Sequence, residues 1–222
     1  MGNSLTVNLE EDCYDHRDKI HHFYITEYMF PRKHNLIDIG FDKNTEIPLA
    51  NTIAYTLKYE NEKDMLTEMN PSSLFIHANT EKQTIRSILK GIKKYGFCLE
   101  SELPFDSYQI GVKPTQELYD AAISNNNIEY RRIKQNLNDI KHCLVMTTTP
   151  IVFGCSIFND DLSLPERGNE SIGKAPMIIV GYNDATRQFQ VKHNLDIDVE
   201  FISYDYVLNP KLCFDLWTVK YQ

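Results

Sequence analysis

The feature that most constrains the fold is a change of hydrophobic period at Pro150. Before it, apolar residues recur at helical spacing. Ala50, Ile53, Ala54 and Leu57 share one face, and Pro48 suits the first turn ahead of them, where a missing N–H costs nothing. Ile85, Ile88, Leu89 and Ile92 form a second stripe that Gly96 stops. Asn70-Pro71 marks another helix start ahead of Leu74, Phe75 and Ile76, and shorter helices are expected within residues 115–124 and 138–144. After Pro150 the apolar runs become short and strand-like: Ile151-Val152-Phe153 with Ile157 and Phe158, then residues 177–180 ending in the turn residues Gly181, Asn183 and Asp184. Phe189 and Val191 alternate with polar neighbours in a returning strand, and Phe201-Ile202 and residues 214–219 complete the set. Helices first and strands later is the order of an α+β protein, a helical lobe followed by an antiparallel sheet lobe.

Composition narrows the function. A hydrophobic share of 42% over 222 residues suffices for one large core, and the formal net charge of −8 makes the surface repel phosphate backbones, so no nucleic-acid partner is expected. No run approaches the ~18 apolar residues of a membrane span, and the amino terminus lacks the pattern of a secretory signal, which gives a cytosolic start as the expectation. Residues 1–36, polar and rich in His and Tyr, read as an amino-terminal extension, and residues 37–222 as the main domain. The cysteines, Cys13, Cys98, Cys143, Cys155 and Cys213, are odd in number and widely spaced without a CxxC pair, so reduced thiols are expected. His21-His22 is the one close histidine pair, and adjacent side chains point apart; no metal and no cofactor are expected. Gly2 with Thr6 fits the N-myristoylation pattern. A single acyl chain would give weak membrane contact through Gly2, because Glu10, Glu11 and Asp12 do not attract anionic lipid; Cys13 could take a second acyl group. The plainer reading of the first dozen residues is a frayed tail.

Several segments together resemble the papain-like cysteine peptidases, in the branch found in bacteria and large DNA viruses. They are "ANTIAYTLKYE" from Ala50, "PSSLFIH" from Pro71, "IRSILKGIKKYGFCLESELPFD" from Ile85, "PIVFGCSIF" from Pro150, "MIIVGYNDATRQFQVKHN" from Met177 and "YDYVLNPKLCFDLWTVK" from Tyr204. They run in the family's order from about Ile37 to the end, which implies a papain-like two-lobe fold. The resemblance also implies where the chemistry should sit. Family members need a thiolate at the start of the central helix, a His from the sheet lobe, an Asn that orients it and an upstream Gln for the oxyanion. Those positions fall on Pro48, Ala175, His193 and Asp42. A pyrrolidine ring has no nucleophile, a methyl group accepts no proton, and a carboxylate repels a developing oxyanion.

The expectation is therefore a pseudo-peptidase that serves as a structural or protein-binding module. Its partners would be proteins, virion or capsid subunits among them, and its location a virus particle or host cytoplasm. The alternative is a thiol hydrolase or transferase with a relocated nucleophile. Against it, Cys155 lies in a core-like run, Cys98 and Cys213 have apolar surroundings, and Cys143 beside His142 would splay away from it on a helix. Trp217 reads as an anchor of the sheet lobe rather than a ligand platform.

Overall fold

A computed structural model describes residues 8–22, 29–39, 46–63, 69–158, 164–166, 169–193 and 199–221. Gly2, Thr6, Asp42 and Asn194 lie outside the described residues. In chain order the elements are strand β1 (Lys33–Asn35), helices α1 (Pro48–Glu62), α2 (Ser73–Ala78), α3 (Ile85–Tyr95) and α4 (Gln116–Ala122), strand β2 (Ile128–Arg132), helix α5 (Leu137–Met146), strands β3 (Ile151–Ile157), β4 (Gly173–Asn183), β5 (Gln188–His193) and β6 (Glu200–Ser203), helix α6 (Tyr204–Val207) and strand β7 (Cys213–Tyr221).

The strands form one antiparallel sheet in the order β2-β7-β3-β4-β5-β6, and β1 pairs with the far half of β4 through Lys33↔Asn183 and Asn35↔Gly181. The sheet has an apolar layer on each face. On one, Val152, Ile178, Trp217 and Val219 pack against Ile53 and Leu57 of α1 and Ile88 and Leu89 of α3. On the other, Phe153, Cys155, Ile179 and Val191 pack against Ile140 and Leu144 of α5 and Tyr206 of α6. Residues directly across a ladder share a face, so each strand feeds both layers by alternation.

Local chemistry sets the helix ends. The Ser72 hydroxyl accepts from the Phe75 N–H at 3.2 Å, Thr84 from the Ser87 N–H at 3.1 Å and Asn136 from the Asp139 N–H at 2.9 Å. Helix α1 has no such cap; Pro48 at its first turn needs no acceptor, and the helix is buried along nearly its whole circumference. No helix among the described residues is long and apolar enough to cross a membrane.

The elements follow the sequence pattern with three differences. The helix expected within 115–124 divides into α4 and a 3-10 turn over Ile123–Asn125. Strand β2 reads IEYRR and lies at the sheet edge, where charge is tolerated and no apolar alternation is needed. The stretch read as an extension enters the fold: β1 belongs to the sheet, and Leu9 is buried in the α1 layer.

Gly96 ends α3 with φ 74°, and a Cβ there would lie 1.8 Å from the Ala122 carbonyl oxygen. Gly96→Ala should therefore combine backbone strain with a backbone clash and cost about 3 kcal/mol. The expected readout is a thermal midpoint lower by roughly 6–12 °C. Gly111→Ala is the control, because it carries a similar φ of 85° with nothing within 4 Å of the added Cβ.

Candidate functional site

Helix α1 and strand β4 begin on the walls of one recess of about 480 Å³. Pro48 and Glu46 come from the entry to α1, His77 and Gln83 from the helical lobe, and Gly173 from the first residue of β4. Ala175 follows two residues on, wholly buried, in register with Cys155 of β3. His193 ends β5 opposite Met177 and is 2% exposed. Ala175, Met177 and His193 thus share one face of adjacent strands, the face that packs against α5 and α6, whereas α1 with Pro48 at its start lies on the other face. Of the four sequence-derived positions, Pro48 lines the recess, Ala175 and His193 are not among its described lining residues, and Asp42 lies outside the described residues.

The chemistry available there is sparse. Pro48 supplies neither a nucleophile nor an N–H. None of the described residues lining the recess carries a thiol or hydroxyl. Among the described lining residues His77 is the one imidazole, and burial pushes its pKa below the ordinary value, so it is neutral at physiological pH.

Residues 8–13 cross this corner and tie the two lobes together. Leu9 enters the α1 layer, and the Glu10 N–H donates to the Gln83 carbonyl at 2.8 Å. Glu11 pairs with Lys174 at 2.8 Å; the Lys174 ammonium stands 5.0 Å from the Phe214 ring centre, and that ring covers Gly154 so closely that a Cβ would meet it at 2.2 Å. Asp12, its side chain 1% exposed, accepts from the Trp217 indole N–H at 3.0 Å and from the Arg86 backbone N–H at 3.3 Å. The Arg132 and Arg86 guanidiniums lie 4.8 and 5.7 Å from the Trp217 ring, near enough for cation–π attraction. Arg86 also donates to the Cys13 carbonyl at 2.6 Å and pairs with Asp18, while Arg132 pairs with Asp215 at 2.8 Å. Burial raises the Asp215 carboxyl pKa and the neighbouring Asp12 charge adds to that, against the Asp12 backbone N–H and Arg132, which lower it. Trp217 is the anchor its sequence context suggested. The carboxylates and guanidiniums around it were not legible, because no local motif links residues 12, 86, 132 and 217.

The thiols are placed for packing. Burial pushes Cys98 and Cys143 up to about 12 and raises Cys213 well above its ordinary value, so these three remain thiols at neutral pH. Cys143 contacts the Thr149 carbonyl at 3.7 Å, whereas the adjacent His142 ring meets Phe30 edge-on at 6.2 Å. Cys13 is exposed.

No family model matches the chain. It is 28% identical to an uncharacterized peptidase C1-like protein of Acanthamoeba polyphaga mimivirus over a 205-residue alignment that covers 77% of this chain and 66% of that protein. The chain thus spans just under two thirds of that relative's length. Among solved structures it superposes on xylellain, a cysteine protease from Xylella fastidiosa, with a TM-score of 0.84 and 25% identity, covering 96% of this chain and 95% of that one. It also superposes on digestive procathepsin L 3 of Tenebrio molitor larval midgut with a TM-score of 0.66 and 11% identity, over 92% of this chain and 74% of that one. The fold is papain-like and α+β.

Trp217 is the sole tryptophan, so its fluorescence reports on the bridge to Asp12. Asp12→Ala should leave the indole N–H and the Arg86 backbone N–H without their acceptor and remove one of the carboxylates around Arg132, cost about 3 kcal/mol and red-shift the emission as water reaches the ring. Asp12→Asn, which keeps one acceptor oxygen, should shift the emission less. Emission spectra unchanged in both variants would show that residue 12 does not hold Trp217.

Proposed function

We propose that this chain is a catalytically inactive papain-like module that works by binding other proteins, as a minor structural component of a large DNA virus particle. The observation that carries the reading is Pro48, which occupies the first turn of α1 where the sequence resemblance calls for the nucleophile. Ala175, at the position of the base, has a fully buried methyl in register with Cys155. Loss of a nucleophile and its base costs on the order of 10⁶ in turnover, which leaves no useful peptidase. Residues 8–13 further support the reading, because they cross the corner between the lobes and wall one side of the recess there. Exposed aromatic side chains such as Tyr14 and Tyr108, each 93% accessible, suit protein recognition. The mimivirus relative supports a viral setting.

A second reading, a thiol hydrolase or transferase with a relocated nucleophile, is favoured by the 25% identity to a cysteine protease. The raised pKa values of Cys98, Cys143 and Cys213 weigh against it. A panel of fluorogenic peptides and esters separates the two. The native protein should show no turnover above the uncatalysed rate, and Pro48→Cys combined with Ala175→His should remain inactive because the oxyanion position is also changed. Turnover by the native chain that is lost on replacing a single cysteine favours the second reading.

Membrane contact through an acylated Gly2 belongs to the same proposal. Protein from its native source should lack Met1, carry the added mass of a myristoyl group and partition weakly onto vesicles. An unmodified amino terminus, or partitioning that Gly2→Ala leaves unchanged, removes the anchor and leaves the binding module.

A further inference from the structure

We propose that Cys155 and Cys213 are a disulfide-forming pair that staples β3 to β7 when the chain meets an oxidising low-molecular-weight disulfide. The two residues are direct partners in the antiparallel register. The Ser156 N–H donates to the Leu212 carbonyl at 2.8 Å, one residue beyond each cysteine, which makes the pair of the non-hydrogen-bonded kind. In such pairs the Cα atoms stand about 4.5 Å apart and the side chains approach most closely, within the span a disulfide bridges. The sulfurs are already 3.5 Å apart, and among the described residues no other two thiols come within hydrogen-bonding reach.

The surroundings hold this geometry. Gln135 donates to the Cys213 carbonyl at 2.8 Å and to the Val207 carbonyl at 2.7 Å, and the Tyr206 hydroxyl donates to the Ser156 carbonyl at 2.7 Å. On its other side Cys155 faces Ala175, which leaves a methyl beside the sulfur. Both thiols are fully buried. Cys213 is the first residue of β7, however, and follows a turn in which Pro210 and Lys211 are exposed, so opening of that turn gives the oxidant its route.

The chemistry balances with oxidised glutathione as the co-reactant. One protein thiol loses its proton and attacks a glutathione sulfur, which releases one glutathione thiolate and forms a mixed disulfide. The second protein thiolate then attacks the protein-side sulfur and releases the second glutathione. Two protein thiols are oxidised, one glutathione disulfide is reduced to two thiols, and the protein loses two hydrogen atoms. Burial raises the Cys213 pKa, so exchange is slow while the fold is closed and the finished bond is equally shielded from reductants. The bond would close a long loop, the cysteines being 58 positions apart, and so restrict the unfolded chain.

The test uses full-length Cys13→Ser protein, which lacks the exposed thiol. It is equilibrated with oxidised glutathione both as folded protein and during refolding from urea, then alkylated in denaturant and digested without reductant. The expected result is loss of two alkylatable thiols, a linked peptide joining Cys155 to Cys213, and a thermal midpoint raised by roughly 5 °C. Further Cys155→Ser or Cys213→Ser substitution should abolish the link and the shift, and Cys98→Ser should leave both. The proposal is overturned if both thiols stay alkylatable after folded and refolded incubations, if a glutathione adduct persists instead of the link, or if the linked protein melts below the reduced one.

Discussion

The contact on which the architecture turns is the indole of Trp217 beside Arg86 and Arg132, with its N–H bonded to Asp12. Each participant comes from a different part of the chain: Asp12 from the amino-terminal crossing, Arg86 from α3, Arg132 from β2 and Trp217 from β7. Tyr130 adds an edge-on ring contact at 5.8 Å. A guanidinium is weakly hydrated and stacks on aromatic faces, so arginine can enter this partly dry node where a lysine would resist desolvation. The carboxylates of Asp12, Asp18 and Asp215 supply the counter-charge: Asp18 pairs with both guanidiniums, and Asp12 and Asp215 pair with Arg132.

That node explains why residues 8–13 do not behave as a tail. Their side chains are mostly polar, which from sequence alone reads as solvent-exposed. Asp12 is nonetheless among the most buried side chains of its type, because the partners waiting for it are cationic and aromatic. Leu9 and Glu11, just ahead of Asp12, then come into contact with the α1 layer and with Lys174. The same segment lies where the helical and sheet lobes meet, so burying Asp12 and holding the lobes together are one structural act.

Periodicity made much of the fold legible. The stripes of α1 and α3 and the runs of β3, β4, β5 and β7 read correctly because each buries a continuous face and its residue pattern must repeat. Strand β1, with the residues Lys-His-Asn, and β2, with Ile-Glu-Tyr-Arg-Arg, could not be read that way, because edge strands gain their stability from backbone pairing and carry no obligatory apolar alternation. The candidate site divides similarly. Pro48, Ala175 and His193 were assigned through colinear resemblance; Pro48 lines the recess, while Ala175 and His193 lie on the sheet face that packs against α5 and α6. The Trp217 node was invisible, since Asp12 and Trp217 are separated by 205 positions and no short motif encodes their meeting.

On the proposed reading, the changed positions favour stability where a peptidase site would favour reactivity. A thiolate–imidazolium pair must be kept partly hydrated and correctly aligned, and sites of that kind are held at some cost in stability. Proline at the first turn preorganises α1 without an unsatisfied donor, and alanine at 175 fills a buried position without a polar atom. The Phe214 ring over Gly154, with Lys174 and Glu11 stacked beyond it, adds packing where an accessible groove would have to hold water. Each change removes a polar or open feature and replaces it with a packed or paired one. A chain released from catalysis can trade reactive groups at its interlobe corner for packed and paired ones, and the outer surface of the two-layer scaffold is then what serves for contact.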